Sequence, residues 1–228
     1  MAIVVFDLDG TLIDSMKIRA RMFANELDVS PAVRKKVEWV FLRNTGVLVP
    51  TEALASFQKT GVNLSGEELD EAFRKVVQKW NEKPPVFPLK KGVKRTLEQL
   101  RREGHVVVLS SFGPGQEVKR ILNQHKMRHL FDGVFTYSGK YPQFAKGPGH
   151  NKFVREIARR MGKAGQRVIY VGDGVHDMAN TRRDKRAIAV GITGTNPTWR
   201  LKSFGAHHVI REIPEIVRIA NHYDRHER

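Results

Sequence analysis

Asp7-Leu8-Asp9-Gly10-Thr11-Leu12 sets two carboxylates two residues apart, directly behind the apolar run Ile3-Val4-Val5-Phe6. In extended chain, residues i and i+2 project to the same side, so this spacing sends both acids out together from a strand end. Gly10 lets the chain turn sharply, and Thr11 adds a hydroxyl there. Two carboxylates at close range repel, so such a site needs a cation, and a bound phosphate would deepen the need. Oxygen donors of this kind suit Mg2+, which keeps waters and a phosphate oxygen beside a few carboxylates. A calcium loop of the EF-hand type has its glycine at position six of alternating acids. Here Gly10 comes at position four, behind a core strand.

Two further segments carry polar groups at the ends of apolar runs. Val106-Val107-Val108-Leu109 delivers Ser110-Ser111, and a hydroxyl with nearby backbone N–H groups can hold a phosphate oxygen. Val168–Val171 leads into Gly172-Asp173-Gly174-Val175-His176-Asp177, where Asp177 falls one helical turn beyond Asp173. Each alone is also the pattern of a turn or a helix cap. Together with Asp7, the two acids could complete a metal site.

The elements that must position these residues alternate. Apolar runs at Ile3–Phe6, Val106–Leu109, Val134–Thr136, Val168–Val171, Ala187–Val190 and His208–Ile210 read as buried strands. Helical patterns lie between most of them, at Lys91–Glu103, Gln116–His125, Lys152–Met161, His176–Arg183 and Ile213–Tyr223. The expected fold class is α/β, a Rossmann-like, doubly wound, mostly parallel sheet with both faces covered. Residues 15–85 interrupt it with helical pattern only, as an inserted small cap domain on a core of residues 1–14 and 86–228. In the insertion, Ser30-Pro31 opens a helix. Ser65 and Glu68 form a capping-box pattern, before a helix expected to bury Leu69, Phe73, Val76, Val77 and Trp80. Trp39 and Phe41 are also expected in the cap core. Hinges are expected near Asp14–Lys17 and Lys83–Pro88.

The 228 residues suffice for one such domain with an insertion. No apolar run is long enough to cross a bilayer, and the N-terminus reads as a strand rather than a signal peptide. The chain has no cysteine, which removes thiolate metal sites and cysteine nucleophiles and fits a cytoplasmic protein. The net charge is +16, and residues 101–200 hold 19 Lys and Arg against 7 Asp and Glu. Such a surplus can attract anionic substrates or nucleic acid. We read it as solvated surface, because aromatic residues do not interleave with the basic runs as a stacking platform requires.

Across nearly the whole chain these segments resemble the haloacid dehalogenase superfamily. D-x-D-G-T-L at Asp7–Leu12 is similar to its first motif, Ser110 to its second, and Gly172–Asp177 to its acidic fourth motif. The lead-in Phe87–Gly104 and the helical insertion resemble the family as well. For the third-motif lysine, Lys152 in His150-Asn151-Lys152-Phe153 is preferred to Lys146 before Gly147-Pro148. Asp14-Ser15 is similar to the D-S of phosphoglycolate-phosphatase-like members.

The resemblance implies a phosphatase with Asp7 as nucleophile and Asp9 as general acid/base. Asp7, Asp9 (through its carbonyl), Asp173 and Asp177 would hold Mg2+. Thr11, Ser110, Ser111 and Lys152 would bind the phosphoryl oxygens. The second acid at Asp9 argues against dehalogenation, and a small phosphorylated metabolite is the expected substrate. A phosphomutase, a nucleic-acid or nucleotide end phosphatase, and a non-catalytic binding protein on the same scaffold are the alternatives.

Overall fold

Ile3-Val4-Val5-Phe6 is β-branched or aromatic at every position and forms strand β1 (Ile3–Phe6), fully buried along its length. A strand buried on both faces belongs inside a parallel sheet. The structure, a computed structural model, describes residues 1–43, 50–137, 156, 158–163, 166–181 and 186–225. It places β1 between β2 (Val106–Pro114) and β4 (Val168–Gly172), with β3 (Gly133–Tyr137), β5 (Ala187–Ile192) and β6 (His208–Ile210) outside them. The order is β3-β2-β1-β4-β5-β6, and all five pairings are parallel. Phe6 pairs with Leu109 on one side and Val171 on the other, so Asp7, Ser110 and Gly172 continue the three central strands at one level.

The chain divides into two compact units, Met1–Ile13 with Leu89–Arg228, and Asp14–Pro88. In the first, Ile3, Val5, Val108, Val168, Tyr170 and Ala187 form a buried cluster from alternate strand positions. Helix α5 (Val93–Arg102) packs against β2 and buries Val93, Leu97 and Leu100. It starts two residues later than the pattern predicts because Gly92 is left-handed, with φ 80°, and ends the preceding turn. A Cβ at Gly92 would also lie 2.8 Å from Pro214 Cγ. Helices α6 (Gly115–Gln124), α7 (Val175–Thr181), α8 (Thr198–Ser203) and α9 (Ile216–Arg225) belong to this unit as well. Of the expected helix Lys152–Met161, residues 156 and 158–160 are helical, while 152–155 and 157 lie outside the described residues.

Four strands, β2, β3, β4 and β5, run longer than expected, β2 by the most. β2 continues through Ser110 and Ser111, paired with Phe135 and Thr136 of β3, before its register shifts. The serines therefore sit in a strand, because β3 extends the ladder past the end of β1.

The second unit holds α1 (Met16–Asn25), α2 (Pro31–Arg43), α3 (Pro50–Lys59) and α4 (Gly66–Glu82). Phe23, Leu27, Val37, Val40, Phe57 and Leu69 anchor its core, with Phe41 and Trp80 partly buried against it. The expectation fails at three residues: Phe73 is 43% exposed, Val77 37% and Trp39 51%. At about 100° per residue, Ala72, Val76 and Leu69 centre the buried arc of α4, and Phe73 and Val77 fall on its flank. Trp39 follows Val37 and precedes Val40, the buried pair of α2, and points away from both. The Asp14 N–H donates to the Pro88 carbonyl at 2.8 Å, which ties the unit's two ends together. Among the described residues no helix is long and apolar enough to cross a membrane.

Ser65 caps α4 as a reciprocal pair: the Glu68 N–H donates to Ser65 Oγ at 3.1 Å, and the Ser65 N–H donates to Glu68 Oε2 at 2.7 Å. These bonds to Ser65 hold the Glu68 carboxyl below its usual range. A lowered carboxylate pKa adds stability at neutral pH, and that part is lost as pH falls through it. Ser65→Ala is expected to cost about 1 kcal/mol at pH 7, read by urea unfolding. The accompanying Glu68→Gln deficit should shrink below about pH 4; a pH-independent deficit would contradict the ionised cap.

Candidate active site

β1 and β4 are neighbours, and each is followed directly by an aspartate. The Asp7 N–H donates to the Val171 carbonyl at 2.9 Å, which continues the ladder one residue past β1. Asp7 is 5% exposed, and Asp173 and Asp177 are each 3% exposed. Oxygen atoms of these three carboxylates lie within 4.8 Å of one another. The Asp9 carboxylate is not one of the three. It is half-buried in the turn after β1, where the Leu8 carbonyl accepts from the N–H groups of Thr11, Leu12 and Ile13.

The remaining contacts fix the loops. The Gly174 N–H donates to Asp177 Oδ2 at 3.1 Å, so Asp177 also closes the first turn of α7. The Thr181 hydroxyl donates back to the Met178 carbonyl at 2.8 Å. Asn196, 2% exposed in the turn after β5, donates from Nδ2 to the Asp173 carbonyl at 2.9 Å. Two glycines stand where a side chain would collide with the acids. A Cβ on Gly10, whose φ is 71°, would lie 2.6 Å from Asp173 Cγ. A Cβ on Gly172 would lie 2.6 Å from Asp177 Cγ and 2.8 Å from its Cβ.

Of the residues expected at the site, Asp7, Asp173 and Asp177 converge. Ser110 is buried in β2, level with Asp7. The Ser111 hydroxyl accepts the Gly113 N–H at 3.0 Å and so shapes the end of β2. Thr11 is fully buried, and its Oγ1 makes no hydrogen bond among the described residues. Lys152 and Lys146 lie outside the described residues. His176 is exposed. In the helical unit, Arg19 stacks over Trp80 and Phe87, 4.5 and 4.7 Å from the ring centroids, while Lys17 and Arg21 are exposed. Asn196 and the close packing at Gly172 escaped sequence reasoning. Asn196-Pro197 shows only as a turn signal after the fifth strand.

Three carboxylates buried this close repel one another, and a cation among them would offset that repulsion. Their donor set is all oxygen and acidic, which fits a small divalent cation such as Mg2+. The arrangement is an acidic metal-site geometry at the carboxyl ends of central parallel strands, where open α/β sheets take their ligands.

The model of the haloacid dehalogenase-like hydrolases matches residues 1–179, and the chain belongs to that family. It is 27% identical over 183 residues to a phosphoglycolate phosphatase of Aliivibrio fischeri, covering 77% of each chain. It is 30% identical over 181 residues to a phosphoglycolate phosphatase of Pseudomonas putida, covering 77% of this chain but 64% of that one. In fold it is similar to a structure described as a predicted phosphoglycolate phosphatase from Haemophilus somnus, with TM-score 0.72 and 20% identity. That match covers 96% of this chain and 97% of the other.

Gly172→Ala is expected to leave the far-UV circular dichroism unchanged and to weaken divalent-cation binding about tenfold or more, measured by calorimetry with Mg2+. Affinity at the unsubstituted level would mean that Asp177 has room to move.

Proposed function

We propose that this chain is a Mg2+-dependent phosphatase acting on a small phosphorylated metabolite through an aspartyl-phosphate on Asp7. The observation that carries the reading is the buried convergence of Asp7 and Asp173, just past the ends of neighbouring strands, with Asp177 in the first turn of α7. Family membership and relatives that are phosphoglycolate phosphatases support it and make 2-phosphoglycolate the first substrate to test.

Asp7, Asp173 and Asp177 would hold the cation, with the Asp9 carbonyl as a further donor. When bound, Mg2+ supplies positive charge that offsets the carboxylates and the phosphate. One Asp7 oxygen attacks phosphorus, an O–P bond forms, and the ester O–P bond breaks. Asp9 gives its proton to the departing alcohol oxygen. The Asp9 carboxylate then takes a proton from water, whose oxygen attacks the aspartyl-phosphate, releasing phosphate and restoring Asp7. Ser110 and the Thr11 hydroxyl would orient phosphoryl oxygens, with Ser111 shaping the same strand end. Lys152 would add a cation for the transferring group. The helical unit, Asp14–Pro88, would serve as the cap that selects the substrate.

The test is phosphate release from 2-phosphoglycolate and a panel of sugar and nucleotide monophosphates, with Mg2+ or with EDTA. Release should require Mg2+ and fall about 1,000-fold or more in Asp7→Asn, with a loss of about 100-fold or more in Asp9→Asn. Turnover that survives in EDTA, or in Asp7→Asn, would sink the mechanism. An inert protein that still binds Mg2+ would favour a binding role on this scaffold.

A further inference from the structure

Helix α2 carries Arg34, Lys35, Lys36 and Arg43, with Glu38 as its one carboxylate. Residues 35, 39 and 43 are successive four-residue steps, so Lys35, Trp39 and Arg43 form one stripe along the helix. Trp39 is 51% exposed, and the Arg43 guanidinium lies 4.6 Å from the centroid of its ring. Lys35, Lys36 and Trp39 line a shallow groove of about 330 Å3 with Thr60, and among the described residues no carboxylate lines it. A lone exposed hydrophobic residue needs no explanation. An exposed indole with three cations around it, on a chain of net charge +16, is a different matter.

We propose that this face of α2 binds single-stranded nucleic acid. Lys35, Lys36 and Arg43 match phosphates, and the indole matches the face of an unpaired base. A duplex keeps its base faces stacked inside and would use only the cations. An acidic peptide has no flat face to match the indole, and a membrane surface asks for several apolar residues on one side of a helix. The proposal is independent of the phosphatase reading, since no residue of the groove belongs to the acidic site.

The test is fluorescence anisotropy of a labelled oligo(dT) strand with the full chain. Affinity is expected to fall roughly 20-fold from 50 to 200 mM salt, as three phosphate contacts release counterions from a single strand. Trp39→Ala should weaken binding about tenfold or more, and Trp39→Phe should restore part of it. Lys35→Glu/Lys36→Glu should lower both the affinity and its salt dependence. The control is Lys119→Glu/Arg120→Glu, in a second basic groove on α6 that no aromatic residue lines among the described residues; it should cost far less. Far-UV circular dichroism and the urea unfolding midpoint of the Trp39 and Lys35/Lys36 variants should stay at the unsubstituted level, which separates lost contacts from lost folding. The proposal is overturned by absent binding at 50 mM salt, by Trp39→Ala without effect, or by equal losses in both charge-reversal pairs. Duplex DNA, an acidic peptide or anionic vesicles binding as tightly as oligo(dT) would overturn it too.

Discussion

Repulsion among three buried carboxylates is the constraint around which the α/β unit is arranged. At the separations seen here, each ionised pair opposes the others by roughly 3–4 kcal/mol at an effective dielectric constant near 20. Nothing apolar can offset that locally, so the backbone must hold the acids in place against it. Rigid strands do most of this. Asp7 follows β1 by one residue and Asp173 follows β4 by one, and the two strands are hydrogen-bonded along their whole paired length. The loops are fixed separately: Asn196 grips the Asp173 carbonyl, and Asp177 is anchored through the Gly174 N–H. Gly10 and Gly172 supply room, because any Cβ at either position would enter the space of an acid.

Topology explains why the acids meet at this place. From β1 the order runs outward through β2 and β3 on one side and through β4, β5 and β6 on the other. The connections therefore diverge between β1 and β4, the place where open α/β sheets take their ligands. Asp7 and Asp173 stand just past the ends of those two strands. Ser110 is level with Asp7 on the strand opposite β4, so a hydroxyl flanks the acids across one strand spacing. A chemistry that joins a nucleophilic carboxylate to a phosphoryl group needs this combination of charge and nearby donors.

Most of this was legible in the sequence because the signals are local. Unbroken apolar runs mark buried parallel strands, and D-x-D-G behind one of them marks a strand end with its turn. The strands at Ile3–Phe6 and His208–Ile210 match the structure at both ends. The misses come from contacts between distant segments. Ser110 and Ser111 read as loop because the ladder that extends β2 past β1 comes from β3, more than 20 residues away. Asn196 reads as a turn because its partner, the Asp173 carbonyl, is 23 residues upstream. Phe73 and Val77 read as core because apolar spacing alone does not say which flank of a helix faces its neighbours. Trp39 was missed as a partner for cations because Lys35, Lys36 and Arg43 lie three or four positions from it rather than next to it.

The charge of the chain and the charge of its site have opposite signs, and distance reconciles them. The basic surplus is carried by exposed groups such as Lys119, Arg159 and Arg160, some already paired: Arg159 and Arg160 hold Glu156 down to about 2. Charges in water are screened within about 8 Å at physiological salt, so surface lysines and arginines cannot offset repulsion among Asp7, Asp173 and Asp177. A cation in contact with the carboxylates can, since it shares their buried environment. The exposed surplus acts instead on encounter, raising the local concentration of anions near the protein without deciding what is done to them. The local charge that chemistry needs and the diffuse charge that gathers anions are therefore set by different residues, and either can change in sequence without altering the other.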